Sequence, residues 1–201
     1  MALAIATGAT APLVTTIPAS AQLFPQEQPT QISIPTGTSI PVKYDKAKKI
    51  VVTPKETMPL TLTVAANIVN RRGTVLIPAG SQVIGELQPA NGGSQFVARE
   101  LAIYEGSRQS INATSRVISA TQVKRGPSTG NILKGAAVGA AAAVAIGAVA
   151  GDRAIATEEV LLGTGAGAAG GAVLGRKKAD VVVINPDTDL DLTLRSNLAL
   201  R

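Results

Sequence analysis

This chain of 201 residues has no cysteine, no histidine and no tryptophan. Without cysteine there is no disulfide, no thiolate metal site, no Cys nucleophile and, in the chain as given, no lipidated cysteine anchor. Without histidine the commonest general base and the commonest metal ligand are missing. No paired carboxylates stand in a credible catalytic frame, so no catalytic residue, cofactor or metal ligand is assigned and no enzyme is expected. Aromatics make up 2% of the chain, and only Phe24, Tyr44, Phe96 and Tyr104 are present. Single-stranded nucleic acid is held by basic grooves interleaved with aromatics. Only Tyr44 sits in a basic cluster, so nucleic acid is not an expected partner despite a formal net charge of +6.

The positive residues come in groups: Lys43, Lys46, Lys48 and Lys49; Arg71 and Arg72; Lys124 and Arg125; Arg176, Lys177 and Lys178. Such groups usually mark solvated strand ends and loops. The alternative is a patch for an anionic polymer. The N-terminus, from Met1 to Ile17, is uncharged and apolar, and Ala19-Ser20-Ala21 matches a small-x-small export cleavage site. Residues 1–21 are therefore expected to be an export signal, although it lacks the usual positive start. Residues 22–31, rich in Gln and Pro, read as a flexible lead-in.

From Ile32 to Val117 the pattern is strand and turn. Leu60-Thr61-Leu62-Thr63-Val64 alternates with period two, the mark of a strand with one buried face. Ile50-Val51-Val52, Thr74 to Ile77, Val83 to Leu87, Gln95 to Tyr104 and Gln109 to Val117 are further candidate strands. Asn91-Gly92-Gly93 is a strong hairpin-turn signal. After a later interruption come Asp180 to Ile184, a turn at Asn185-Pro186-Asp187, and Asp189 to Leu194. Many short strands at this spacing predict a mainly β fold, a small antiparallel barrel or sandwich spanning residues 32–125 and 180–196. A weak internal echo joins Ile34-Pro35-Thr36-Gly37-Thr38, Ile77-Pro78-Ala79-Gly80-Ser81 and Ile184-Asn185-Pro186-Asp187-Thr188. These read as strand corners, since proline fixes φ and gives up its N–H.

Residues 126–179 are different. Gly135, Gly139, Ala143, Gly147 and Gly151 recur every four residues, as do Gly163, Gly167, Gly171 and Gly175. On a helix each run lines one face with residues that have almost no side chain. Interior glycine costs a helix roughly 0.5–1 kcal/mol per site relative to alanine, and close helix approach is the usual compensation. The expectation is an inserted glycine-zipper hairpin, with helices from about Ile132 to Ala150 and Thr157 to Leu174, each near 28 Å long. Neither apolar run contains a charge, whereas Asp152, Arg153, Glu158 and Glu159 mark the tip and Lys134 and Arg176 to Lys178 the base. With its own linker at Gly126 to Gly130, the hairpin is expected to be independent of the β-domain. It packs with its own copies, in or at a membrane, or lies folded on the barrel.

Several motifs are decoys. Gly165-Ala166-Gly167-Ala168-Ala169-Gly170 matches a dinucleotide fingerprint but lacks the chain length for its domain. Gly126 to Lys134 is no P-loop, because Asn131 stands where Lys is needed. Asp187, Asp189 and Asp191 mimic the opening of a calcium loop, but Leu192 and Leu198 fall where Gly and Glu belong. With period two these acids would instead line a solvent face, opposite Leu190, Leu192 and Leu194. Asn112-Ala113-Thr114 is a glycosylation sequon without a supporting context.

The order of strand-rich domain, glycine-rich hairpin and two closing strands resembles the TrbI-like family, the β-barrel subunits of conjugal-transfer and type IV secretion core complexes. Ile34-Pro35-Thr36-Gly37-Thr38-Ser39-Ile40-Pro41-Val42 looks like that family's opening strand. Gly73-Thr74-Val75-Leu76-Ile77-Pro78-Ala79-Gly80-Ser81-Gln82-Val83-Ile84-Gly85 looks like its central signature. The resemblance covers about residues 32–194. The family's long N-terminal stem is not seen in this chain, and the hairpin is more glycine-rich than the family's membrane antenna. The resemblance implies a structural envelope protein in the periplasm or outer membrane, without catalytic residues. Its expected partners are its own copies, the outer membrane in preference to the inner, and secretion-system subunits. A soluble periplasmic binding module for an anionic polymer is the competing expectation.

Overall fold

Alternation of apolar and polar residues builds the largest sheet. The computed structural model describes residues 32–104, 107–124, 132–150 and 178–200. In β5 (Met58–Val64), Met58, Leu60, Leu62 and Val64 are buried while the residues between them are not. β5 pairs antiparallel with β8 (Gln82–Ala90), which pairs with β9 (Gly93–Tyr104), which pairs with β10 (Ser107–Thr114). Asn91 and Gly92, with φ of 42° and 78°, form the tight turn between β8 and β9. Two consecutive positive φ values give the mirror-image turn whose twist matches a hairpin. β15 (Leu192–Leu194) extends the sheet from β10, and β2 (Ser39–Ile40) extends it from β15. At the other end, β3 (Val42–Lys43) pairs with β5. β2 and β3 are separated by Pro41 alone, so one run of chain forms both ends of the sheet and closes it into a barrel. Proline has no N–H to lose at this junction, and its carbonyl accepts from Ala65 N at 2.9 Å. The mainly β fold expected from the sequence is thus what the chain adopts.

The barrel core holds Ile40, Leu62, Leu87, Phe96, Leu101 and Leu192, all fully buried. Gly85 lies beneath Phe96. A Cβ there would stand 2.7 Å from the ring's Cζ, 2.9 Å from Ala98 Cα and still closer to the Val97 carbonyl oxygen. Two of the proline corners are alike. Gly37 and Gly80 have φ of 82° and 90°, and Thr38 and Ser81 each return a hydroxyl to the preceding proline carbonyl, at 2.7 and 2.8 Å. The third corner differs, because Pro186–Asp189 forms a short helical turn, α2. The expected strand from Asp189 therefore begins only at Leu192, though Leu190, Leu192 and Leu194 are all buried as expected.

A second sheet has the order β12 (Thr121–Lys124), β14 (Lys178–Ile184), β4 (Lys49–Val52) and β13 (Ala136–Val138). Three of these strands, β14, β4 and β13, carry consecutive apolar residues because both their faces are covered, as in buried sheets generally. Ile50, Val52, Ala137, Val182 and Ile184 point into the barrel core. Val51, Val123, Ala136, Val138 and Val181 point the other way, into a second core closed by the helix α1 (Ala140–Ala150). Two-stranded ribbons complete the fold: β1 (Ser33–Ile34) with β16 (Leu198–Ala199), and β6 (Ile68–Val69) with β7 (Val75–Ile77). A short β11 (Ile118–Ser119) pairs with β9.

Candidate functional site at the root of the helical arm

The helical arm does not start where its sequence pattern does. A helix was expected from Ile132, and Ile132 and Leu133 are helical, but the helix does not continue: Ala136–Val138 is a strand, parallel to β4, and α1 begins only at Ala140. The reason lies in tertiary pairing. Ala136, Ala137 and Val138 are small enough to be buried on both faces against β4, and Gly135 breaks any helix before them with φ of 67°. That left-handed conformation is open to glycine and strained for other residues. It lets the Gly135 carbonyl accept from Lys48 N at 3.0 Å, which docks β13 beside β4.

Gly139 ends the strand and starts the helix. Its N–H donates to the Val51 carbonyl at 2.8 Å, and its own carbonyl accepts from Ala143 N at 2.9 Å. The first N–H groups of a helix have no partner within it. Here Glu56, in the loop between β4 and β5, supplies one. Its Oε1 accepts from Ala141 N at 2.9 Å, and its Oε2 from Ala142 N at 3.1 Å and Thr53 N at 3.0 Å. A carboxylate at this end also meets the positive pole of the helix dipole. A Cβ on Gly139 would lie 2.6 Å from Glu56 Cδ and 2.8 Å from its Oε2, and closer still to Oε1. Gly139 is therefore small to admit this carboxylate, and Gly135 is glycine to turn the chain. Neither lies on the helix, so the expected stripe of small residues does not begin with them.

Ala143 and Gly147 do lie on α1, both half-buried. Ala142, Ile146 and Val149, spaced at one helical face, are buried against the sheet. On the opposite face Val144 is 59% exposed, and Ala148 is exposed as well. Gly151, Gly163, Gly167, Gly171 and Gly175 lie outside the described residues, as do the second expected helix, the dinucleotide-like motif, most of the P-loop-like stretch, and residues 1–31. No helix among the described residues is long and apolar enough to cross a membrane. Because α1 closes the second core, the arm's root is integral to the fold. The expectation of an insertion independent of the β-domain is corrected on this point.

Sequence reasoning missed Glu56. Its one local signal is the spacing Thr53-x-x-Glu56, in which the acid bonds back to the N–H three residues earlier. The helix that Glu56 serves is 85 residues further along the chain. The three aspartates of the calcium-like motif do not gather into one cluster. Asp189 accepts from Asn185 N at 2.8 Å and pairs with Arg116. Burial alone would raise its carboxyl pKa, but these bonds, with the Thr188 hydroxyl, outweigh burial and hold it below the ordinary aspartate value. Among the described residues no three or more acidic side chains cluster as a metal site would require. The basic group after β3 borders a cleft of about 360 Å³ that includes Tyr44, Lys46, Lys48 and Gly135. Asp45 and Asp187 line the same cleft, so it carries both signs of charge. Tyr44 keeps its ring in the barrel core, and burial raises its pKa.

The described residues therefore define a closed antiparallel β-barrel with a flanking sheet and an apolar helix laid across it. Among solved structures, the chain is similar to ComB10 of the Com type IV secretion system of Helicobacter pylori. That match has 14% identity over 82% of this chain and 88% of that one, with a TM-score of 0.42. No family model matches the chain, and no curated protein matches it.

Proposed function

We propose that this chain is a non-enzymatic, exported cell-envelope protein of the TrbI-like kind, a structural or anchoring component that assembles with its copies through the helical arm. One observation carries the reading. α1 has no charged residue in its 11 positions, its inner face is spent on the second core, and Val144 on its outer face is 59% exposed. A helix that is apolar all round normally has cover on every side, and a partner surface or the apolar edge of a membrane would supply it. Glu56, β13 and Gly135 support the reading, because they hold the arm's root at a fixed place on the barrel. The sequence resemblance over residues 32–194 and the export-like N-terminus add the envelope location.

The test is fractionation of the full chain with a carbonate wash, followed by the mass of the detergent-solubilised protein. Retention in the membrane fraction and a multiple of the chain mass are expected. Val144→Asp should leave the barrel folded while lowering both retention and the oligomer. Release of wild-type protein as a monomer would refute the proposal.

A further inference from the structure

The ribbon of β6 and β7 lies outside both larger sheets, and its outer face is not explained by the fold. Ile68 and Leu76 pack against the barrel core, and Ile77 is fully buried within it. The next cross-strand pair, Val69 and Val75, faces solvent at 52% and 46% exposure. Such partners have Cβ atoms about 4.5–5.5 Å apart and form one continuous apolar surface. They are two of the four large apolar side chains that stand exposed among the described residues. Beyond them the tip carries Arg71 and Arg72, both exposed and without a carboxylate partner among the described residues.

The tip is built rather than loose. Asn70 Oδ1 accepts from Arg72 N and Thr74 N, each at 2.9 Å, Asn70 N donates to the Thr74 carbonyl at 2.9 Å, and Gly73 N to the Asn70 carbonyl at 3.0 Å. At the base, Asn67 Oδ1 accepts from Ala79 N at 2.6 Å. An ordered backbone spares a partner the cost of ordering that backbone on binding.

We propose that this ribbon is a docking surface for an extended segment of a partner protein, acidic at one end and aliphatic at the other. Guanidinium forks suit carboxylates, which they can bind through paired N–H donors. Along the ribbon the arginines lie beyond the valines. An extended segment lying along it therefore meets Arg71 and Arg72 with an acidic end and Val69 and Val75 with an aliphatic end, whose alternate residues share one face. The order of groups argues against a membrane as the occupant. A ribbon entering lipid tip-first would bury Asn70 and both arginines before either valine.

The probe is a labelled synthetic peptide, acetyl-Glu-Glu-Glu-Val-Thr-Val-amide, whose two valines share one face of an extended chain; it is added to the full chain and followed by fluorescence anisotropy. Saturable binding is expected. Arg71→Glu with Arg72→Glu should weaken it about tenfold or more, and Val69→Thr with Val75→Thr about threefold, while Lys46→Glu with Lys48→Glu, an equal charge change elsewhere, changes it less than about twofold. Unchanged urea midpoints verify folding, and Arg71→Gln with Arg72→Gln replaces the reversal should it fail to fold. Absent binding, equal losses from both charge reversals, or equal binding of the same peptide with glycine at both valine positions would each overturn the proposal. So would protection of the ribbon by anionic lipid vesicles but not by the peptide, which would assign the surface to a membrane.

Discussion

Replacing Gly139 with alanine should unseat the Glu56 carboxylate, because the three atoms nearest the new Cβ all belong to that side chain. The cost can be worked from what the carboxylate does. Loss of an N-terminal capping acceptor costs about 0.5–2 kcal/mol. Loss of a negative charge from the same helix end adds about 0.3–1 kcal/mol. Glu56→Ala should therefore destabilise the protein by about 1–3 kcal/mol, and Gly139→Ala by a similar amount. For a chain of this size that is a fall in Tm of about 2–4 °C per kcal/mol. With the carboxylate already gone, alanine at 139 meets no such obstruction. The double variant should then be about as stable as Glu56→Ala alone, giving an interaction energy as large as the Gly139→Ala cost itself, about 1–3 kcal/mol. Urea unfolding of the four proteins measures it, and amide exchange at Ala141 and Ala142 should quicken in all three variants. Additive costs within about 0.5 kcal/mol would refute the reasoning, since independent sites behave so. If Gly139 instead served contact between helices, its cost would not depend on Glu56.

Gly85→Ala should cost about 3 kcal/mol or more in urea unfolding, because its Cβ meets the Val97 carbonyl and the Phe96 ring inside the barrel; a neutral result would show that the Phe96 side of the core gives way. Gly135→Ala should cost about 1 kcal/mol from its φ of 67° alone. An unchanged stability would mean that β13 is not docked through this turn. The Asp189 carboxyl has a folded-state pKa below its ordinary value of 3.8. Its contribution is therefore present above the unfolded pKa and is lost as pH falls through the folded one. Asp189→Asn should flatten the acid limb of the stability curve below about pH 4 and leave its neutral-to-alkaline shape alone; an acid limb identical to wild type would count against the Arg116 and Asn185 bonds.

Several elements are legible along the chain because their causes are local. Period two in Leu60 to Val64 marks a strand with one wet face, and the structure buries Leu60, Leu62 and Val64. Asn91-Gly92 calls for positive φ at two adjacent residues and forms the β8–β9 turn. The proline corners at Pro35 and Pro78 repeat because proline, glycine and a hydroxyl three residues on make the same turn twice. Ile50-Val51-Val52 was readable as a strand, but not that its alternate residues enter two different cores. The arm shows where local reading fails. Gly135 and Gly139 fit a helical repeat of four as well as they fit their places in a turn and at a helix start. Spacing alone cannot separate these roles.

By itself, then, the sequence determined the mainly β class, the strand runs and the turns, since these follow from periodicity and from the backbone freedom of glycine, proline and asparagine within a few residues. It also excluded chemistry that needs cysteine or histidine. The tertiary structure alone decided that Pro41 closes the barrel and that Ala136–Val138 is a strand. It likewise decided that Glu56 caps a helix 85 residues away. Each of these is a pairing between groups far apart in the chain, and its free energy exists only once the partners share one place.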